Sequence, residues 1–219
     1  MEESLGQRLL TISTATPLEL RRAGLAIDSV ERALQFRWCA SPREFVAVLD
    51  LRHAAYAAVG KVEKDSSPSE MAGRYDIGAR ILMAYHHDRL VGTARVAAPP
   101  QRGRNEYDDF ARLPEWIDRD SLAVLSRLAT DPSYRGSDLL YSLIFRCLAI
   151  CRGQFRHVLS GCTRAMLPIY QRVGARPTAR NFRHGTLGRD EHLIVFEPDA
   201  IAHGEGVRAD LRALLDRCT

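Results

Sequence analysis

The sequence predicts a single α/β domain, and three observations support this prediction. The chain has 219 residues, 46% of them hydrophobic, so one domain can bury a substantial core without disulfides or metals. Segments with helical spacing alternate with short apolar runs along most of the chain. No stretch approaches the roughly 18–20 uninterrupted apolar residues of a membrane span. Two smaller domains are the alternative.

The domain is expected at residues 34–219, preceded by an arm at residues 1–33 whose role the sequence does not indicate. The arm is amphipathic and has few turn signals, so we expect it to be partly helical. The residues that suggest the helical part are Leu18, Leu20, Leu25 and Ile27.

The first elements of the domain are a strand and a helix. Residues 34–39 alternate in polarity as a strand does, and Ser41 and Pro42 are typical of a helix cap and first turn. This helix is predicted to run to about Val59. The polar residues 61–70 then predict a loop.

Two apolar runs, 81–86 and 90–96, flank a polar turn and predict a β-hairpin. His86 and His87 lie at its tip, where we expect solvated surface side chains. Residues 99–120 form a long polar connection, and loops of this length usually line a site or are disordered. The remaining predicted elements are a buried strand at 122–130, a helix ending near 151, a strand at 157–162, a short helix at 165–173 and a strand at 192–196.

The cysteines and the N-terminus indicate a cytoplasmic protein. The five cysteines are an odd number whose spacings match no zinc motif, as expected in a reducing compartment. Cys147 and Cys151 could share a helix face, but no His or Cys pair nearby would complete a metal site. The sequence begins without a basic and then apolar secretion signal. Because neither the cysteine spacings nor the surroundings of Cys147 and Cys151 form a metal site, we expect no bound metal.

Positive charge is concentrated between residues 135 and 189, which contain ten arginines, no lysine and a single acid, Asp138. Such a segment can attract an anionic partner. Nucleic acid is not expected, because the segment lacks interleaved aromatic residues for base stacking. The alternative interpretation is an ordinary solvated face rich in arginine.

The order of elements, with Ser126–Arg127–Leu128 leading into Tyr134–Arg135–Gly136, resembles the GNAT N-acyltransferases over residues 34–198. The resemblance implies a mixed central sheet flanked by helices. It also implies that the turn before the long helix holds the phosphates of the acyl donor, since free N–H groups at a helix N-terminus attract anions.

The phosphate loop departs from the usual pattern of that superfamily. Ser133 stands where a basic residue is usual, Gly136 is retained, and Asp138 replaces a second glycine. Such a loop could seat the single phosphate of a phosphopantetheine arm on an acyl carrier protein, whose acidic surface would match the arginine-rich segment. Acyl-CoA is the alternative co-substrate, and no tightly bound cofactor is expected.

A narrower resemblance is to the FeeM-type N-acyl amino acid synthases, which use acyl carrier protein donors. The motifs that carry it are 51–56, Gly60–Lys61, Tyr75–Asp76, 90–96 and 126–136. Of the family's paired acids the chain retains Asp76, and Val124 stands where the family has a glutamate.

The resemblance assigns roles to individual residues. Tyr170 is the expected proton donor to the leaving thiol, with core packing as the alternative. Arginines in predicted strands or on an inner helix face need a carboxylate, supplied either by an amino acid substrate or by a structural network with Asp76. We expect catalytic residues Tyr170, Arg127 and Asp76; donor-binding residues Leu128, Ala129, Tyr134, Arg135, Gly136 and Ser137; and acceptor-binding residues Arg52, Tyr56 and Arg95.

The expected function is transfer of an acyl group, long-chain in this family, from acyl carrier protein to the amine of an amino acid or similar small molecule. Direct attack by a neutral amine requires no covalent enzyme intermediate. The alternatives are a CoA-dependent N-acetyltransferase and a non-catalytic binding module with the same fold.

Overall fold

A computed structural model describes residues 15–22, 30–98, 103–183 and 190–219. In this part of the chain one sheet contains seven strands: β1 Leu34–Trp38, β2 Arg80–His86, β3 Arg89–Ala97, β4 Leu122–Thr130, β5 His157–Thr163, β6 Arg176–Arg183 and β7 Asp190–Phe196. The α-helices are α1 Pro17–Arg22, α2 Pro42–Ala57, α3 Leu139–Cys151, α4 Leu167–Gln171, α5 Pro198–Ala202 and α6 Arg212–Cys218.

The sheet is mixed, as predicted. Its strand order is β1-β2-β3-β4-β5-β7-β6, and among the described strands only the β4–β5 pair is parallel. The predicted hairpin is confirmed as β2 and β3. The fold is that of an α/β protein with helices flanking the sheet.

Helices α2 and α3 pack on opposite faces of the sheet. Successive residues of a strand point to opposite faces, so alternate residues of one strand contact different helices. In β2, Leu82 and Ala84 belong to the large core that contains α3. The alternate residues Ile81 and Met83 pack with Val48 of α2. The sheet is therefore buried on both sides.

The start of α2 follows the predicted local signal. The Ser41 side chain accepts a hydrogen bond from the Glu44 backbone N–H, and the Glu44 carboxylate accepts from the Ser41 N–H. This reciprocal capping box satisfies N–H groups that a helix start leaves unpaired. The helix ends at Ala57 rather than Val59, two residues before the predicted end.

Several expectations differ from the structure. Strand β6 and helices α5 and α6 were not predicted, and residues Pro68–Met71 within the predicted loop form a 3-10 turn. His86 is buried rather than solvated, because the Tyr134 ring and hydroxyl cover it.

The N-terminal arm is partly described. Helix α1 contains Leu18 and Leu20, whereas Leu25 and Ile27 lie outside the described residues. Glu31 is buried against the main domain, where its carboxylate binds Arg146 and Arg217. No helix in the described part of the chain is long and apolar enough to span a bilayer.

Candidate active site

The central feature of the site is the separation of β4 from β5. The two parallel strands pair only from Leu122 to Val124 on β4 and from His157 to Leu159 on β5. Both strands continue beyond this point, to Thr130 and Thr163. The peptide groups of β4 that face β5 are therefore left outside the ladder, and a gap opens through the sheet.

A β-bulge at Arg127 reshapes β4 beside this gap. Against β3, Ala129 pairs with Thr93 and Ser126 pairs with Arg95, so β4 contains one extra residue between the two pairs. Arg127 takes this extra position with a φ of 53°, in the left-handed region that non-glycine residues rarely adopt. The bulge changes the direction in which the Arg127 side chain leaves the strand.

The gap contains a cavity of about 460 Å³, whose lining is mostly apolar. It includes eight of the predicted site residues: Tyr56, Leu128, Ala129, Tyr134, Arg135, Gly136, Ser137 and Tyr170. All six predicted donor-binding residues are in this set. The lining also contains residues that sequence reasoning missed, namely Ala55, Val59, Lys61, Thr130, Leu140, Tyr141, Gly161, Cys162, Thr163, Met166 and Ile169.

The turn before α3 closes one side of the cavity. Gly136 has a φ of 78°, and the Ser137 hydroxyl donates to the Tyr134 carbonyl at 2.7 Å. Helix α3 begins immediately afterwards at Leu139. Since the first N–H groups of a helix have no partner within it, this turn presents a positive end to the cavity.

Tyr134 is held in this turn by His86 of β2. The Tyr134 hydroxyl and His86 Nδ1 are 2.5 Å apart, and both residues are buried. Burial raises the pKa of Tyr134 to about 12. The phenol therefore stays protonated near neutral pH.

Asp138 lies at the start of α3. It is the N-cap residue of α3, not part of its first turn, and its Oδ1 accepts a hydrogen bond from the Val30 N–H at 2.8 Å. The carboxylate is thus used to fix the chain that leads into β1.

Arg52, Arg95 and Asp76 do not line the cavity but form a buried charge network beside it. Asp76 Oδ1 lies 2.9 Å from Arg52 Nη1 and 3.3 Å from Arg95 Nη1. Arg95 also donates to Ser126 Oγ and pairs with Glu106. Burial alone would raise the pKa of Asp76, but the two guanidinium groups outweigh it and lower that pKa. These residues match the structural alternative for the arginines.

Arg127 differs from those two arginines. Among the described residues it has no salt bridge or side-chain hydrogen bond, and its Nη2 extends toward Gly73. Its charge acts on Tyr56: burial raises the pKa of that phenol, and Arg127 is the first of three arginines that oppose the rise. Arg127 is therefore a partly exposed cation that pairs with no carboxylate of the described residues, beside a cavity-lining tyrosine.

Tyr170 lies in α4 and is 6% exposed, with its ring packed 6.3 Å from that of Phe196. Burial is the main cause of its strongly raised pKa, and the charges of Cys162, Tyr56 and Glu191 act in the same direction. The hydroxyl therefore keeps its proton at neutral pH.

The arginine-rich segment is partly neutralised. Arg146, Arg152, Arg172 and Arg176 pair with Glu31, Asp199, Asp210 and Glu197, all of which lie outside the segment. The scarcity of acids in the sequence of this segment thus overstated its charge in space. Arg156, Arg164, Arg180 and Arg183 are exposed and make no salt bridge with the described residues. Arg189 lies outside the described residues.

The described residues contain no group of three or more His, Cys, Asp or Glu side chains placed to hold a metal ion. Four of the five cysteines are buried thiols, and Cys39 is partly exposed.

Comparison with known families agrees with this geometry. The family model of the N-acyl amino acid synthase FeeM matches residues 47–194, more than half of the chain. The chain belongs to this family. As a FeeM-family member it is an N-acyltransferase, and the matched segment includes β2 to β5, the cavity and α4.

Solved structures show the same fold. FeeM from uncultured soil microbes superposes with a TM-score of 0.61 at 16% identity, covering 78% of this chain and 94% of FeeM. An acetyltransferase from Streptococcus agalactiae gives 0.53 at 18% identity, with 76% and 99% covered. YncA of Salmonella typhimurium, solved with acetyl-CoA, gives 0.51 at 14% identity, with 76% and 95% covered. No curated protein sequence matches the chain significantly.

Proposed function

We propose that this FeeM-family enzyme transfers an acyl group from the phosphopantetheine thioester of an acyl carrier protein to the α-amino group of an amino acid. The observation that carries the proposal is the apolar cavity between β4 and β5, with Tyr170 inside it and Arg127 beside it. We place the reaction in the cytoplasm, with no nucleic-acid partner.

The unpaired edge of β4 suits the phosphopantetheine arm. Beyond Val124 the peptide groups of β4 that face β5 are outside the ladder, and Leu128, Ala129 and Thr130 line the cavity. An extended arm containing amides can hydrogen-bond to such an edge as an added strand does. The thioester carbonyl then lies near β4 N–H groups, which can stabilise the oxyanion that forms during attack.

The acyl chain is assigned to the apolar part of the cavity. Its walls include Leu128 of β4, Leu140 and Tyr141 of α3, and Met166 and Ile169 around the start of α4. Burying a methylene group in such surroundings contributes about 0.8 kcal/mol. A long chain would therefore gain more than an acetyl group, which supports a long-chain donor.

Carrier protein rather than CoA is supported by the charges around the cavity. The loop lacks a basic residue at Ser133, whereas CoA adds a charged nucleotide to the phosphopantetheine. Lys61 and Arg135 line the cavity, and the exposed Arg164 directly follows the cavity residue Thr163. Cations distributed around an entrance suit the acidic surface of a carrier protein, whose attraction acts over several ångströms.

The acceptor is assigned to the α2 side of the cavity, where Tyr56 lies next to Arg127. A guanidinium group binds a carboxylate through two parallel hydrogen bonds, and Arg127 has no carboxylate partner among the described residues. The α-carboxylate of an amino acid would supply it. Arg52 and Arg95, which share Asp76, are assigned to holding the β3–β4 region in place, and Asp76 to orienting them.

The chemistry follows from these positions. The neutral amine attacks the thioester carbonyl, and the tetrahedral intermediate collapses by breaking the C–S bond. Tyr170 donates a hydrogen bond to the departing sulfur, whose thiol has an ordinary pKa of about 8.5. The proton that the nitrogen loses is available to the sulfur through the same hydroxyl, so the products are an amide and a free thiol.

Mass spectrometry of the purified enzyme with a pool of amino acids tests the proposal. Palmitoyl carrier protein, palmitoyl-CoA and acetyl-CoA are supplied in separate reactions. An N-acyl amino acid formed with the carrier protein, and much less with either CoA thioester, is the expected result. Product with acetyl-CoA alone would indicate an N-acetyltransferase, as the likeness to YncA would suggest. Absence of product with all three donors would indicate a binding module.

A further inference from the structure

Glu191 of β7 is a buried carboxylate that has no role in the proposed acyl transfer. It is 7% exposed and lies opposite Thr163 of β5 in the sheet. Among the described residues the structure gives its side chain no hydrogen bond and no salt bridge. Its oxygens are not among the fully enclosed side-chain atoms that lack a hydrogen-bond partner, so they keep some access to solvent. A carboxylate of such low exposure without an ion-pair partner is therefore a candidate functional group.

Glycine at position 161 places this carboxylate at the cavity wall. Gly161 and Thr163 both line the cavity and point to the same face of β5 as Glu191 does on β7. A Cβ added to Gly161 would lie 3.1 Å from Glu191 Oε2 and 3.0 Å from the rings of Tyr107 and Phe182. The missing side chain therefore leaves Glu191 next to the space where donor and acceptor meet.

The other buried carboxylates near the cavity are already engaged. Asp76 binds two arginines and the Gly73 N–H, and Glu106 pairs with Arg95. A carboxylate held by guanidinium groups is a poor base, because protonating it would break the pair. Of these three carboxylates, Glu191 alone is free to accept a proton.

We propose that Glu191 is the general base that deprotonates the acceptor amine, an inference that rests on the proposed function. An α-amino group is mostly protonated at pH 7 and cannot attack in that form. One proton passes from the ammonium to the Glu191 carboxylate, and the freed lone pair forms the C–N bond. The C–S bond breaks when the tetrahedral intermediate collapses. The second N–H proton goes to the thiolate through Tyr170. Glu191 then releases its proton to solvent, so each turnover yields one amide, one thiol and one proton.

The test compares Glu191→Gln with Asp190→Asn, an isosteric change in the adjacent exposed carboxylate. Rates of N-acyl amino acid formation are measured from pH 6 to 9, with the carrier-protein donor saturating. The titratable groups around Glu191 are Tyr107, Cys162 and Tyr170, and burial raises the pKa of all three above this range. Over this range the profile therefore follows the supply of neutral amine.

Glu191→Gln is expected to lower kcat at pH 7 by roughly 10²–10⁴-fold, the usual contribution of a general base. The loss of kcat should shrink about tenfold for each unit that the pH rises, because a larger share of the amine is then already neutral in solution. Hydroxylamine, which is uncharged at neutral pH, should be acylated by variant and wild type at similar rates. That rescue also shows that the variant is folded.

Three results would overturn the inference. If Glu191→Gln keeps wild-type kcat on amino acids, the proposed function stands and the base lies elsewhere. If hydroxylamine acylation falls as much as amino acid acylation, Glu191 has a structural role. If neither the wild type nor Asp190→Asn acylates any amino acid, the proposed function and this inference fail together.

Discussion

Asp76 Oδ1 lies 2.9 Å from Nη1 of Arg52, and both side chains are almost completely buried. The same oxygen is 3.3 Å from Arg95, so a single carboxylate balances two guanidinium groups. Arg52 Nε and Nη2 have no hydrogen-bond partner within the described structure. The network is thus short of acceptors, and its stability depends on Asp76.

Replacing Asp76 by Asn should destabilise the protein. Removing one member of a buried ion pair leaves an uncompensated charge and costs about 3–5 kcal/mol. Urea unfolding followed by circular dichroism measures the change, with Asp50→Asn on the exposed face of α2 as the control. A loss as small as that of the control would mean that the two arginines find other partners.

The contribution of Asp76 should also depend on pH in a defined direction. Its pKa in the folded protein lies below the ordinary 3.8, so the carboxylate stabilises the fold above pH 3.8 and loses this effect as the pH falls through the lowered value. The difference in unfolding free energy between the wild type and Asp76→Asn should stay constant above about pH 5 and narrow below pH 3.8. A difference that widens under acid would contradict the network.

How much of the structure could be predicted from the sequence depended on how far apart in the chain the interacting residues lie. The Ser41–Glu44 cap and the hairpin are encoded within a few residues, and both were predicted correctly. Strand β6 was missed because its sequence, RPTARNFR, is polar and mostly exposed at the edge of the sheet, so it lacks the alternation of a buried strand.

The site was predictable only in part for the same reason. The predicted donor-binding residues are nearly contiguous in sequence and line one cavity. The partners of the arginines were not predictable, because Asp76 lies 24 residues from Arg52 and the choice between Arg52, Arg95 and Arg127 is made by packing. Glu191 was missed because only the β5–β7 register brings it next to Gly161.

Tyr170→Phe should lower kcat without destabilising the protein. The change removes only the hydroxyl, and general acid catalysis contributes roughly 10²–10⁴-fold. The KM values for donor and acceptor should change little. Steady-state kinetics with thiol detection measures this, and Tyr85→Phe, on the β1–β2 side of the sheet, is the control. If kcat is unchanged, Tyr170 packs the core and another group protonates the sulfur.

Arg127→Met should weaken binding of the amino acid but not of the acyl donor. Hydrogen bonds to a charged group contribute about 1.5–3 kcal/mol, so the acceptor KM should rise roughly 10–100-fold. An amine of the same shape without the carboxylate should be acylated equally by variant and wild type. Arg37→Met, on the edge strand β1, controls for loss of a positive charge. An equal loss with both amines would place Arg127 outside the carboxylate site.

Ile169→Trp should shorten the acyl chain that the enzyme prefers. Ile169 lines the cavity with Leu140 and Met166, so an indole ring there would occupy part of the space assigned to the acyl chain. Each methylene displaced from an apolar site loses about 0.8 kcal/mol, roughly fourfold in kcat/KM. Competition between carrier proteins loaded with acyl chains of different lengths measures the preference. Val46→Trp, at a position 56% exposed on α2, should leave it unchanged. If Ile169→Trp lowers kcat/KM equally for all chain lengths, the acyl chain lies in another part of the molecule. A cavity that is partly filled must exclude the longest chains first.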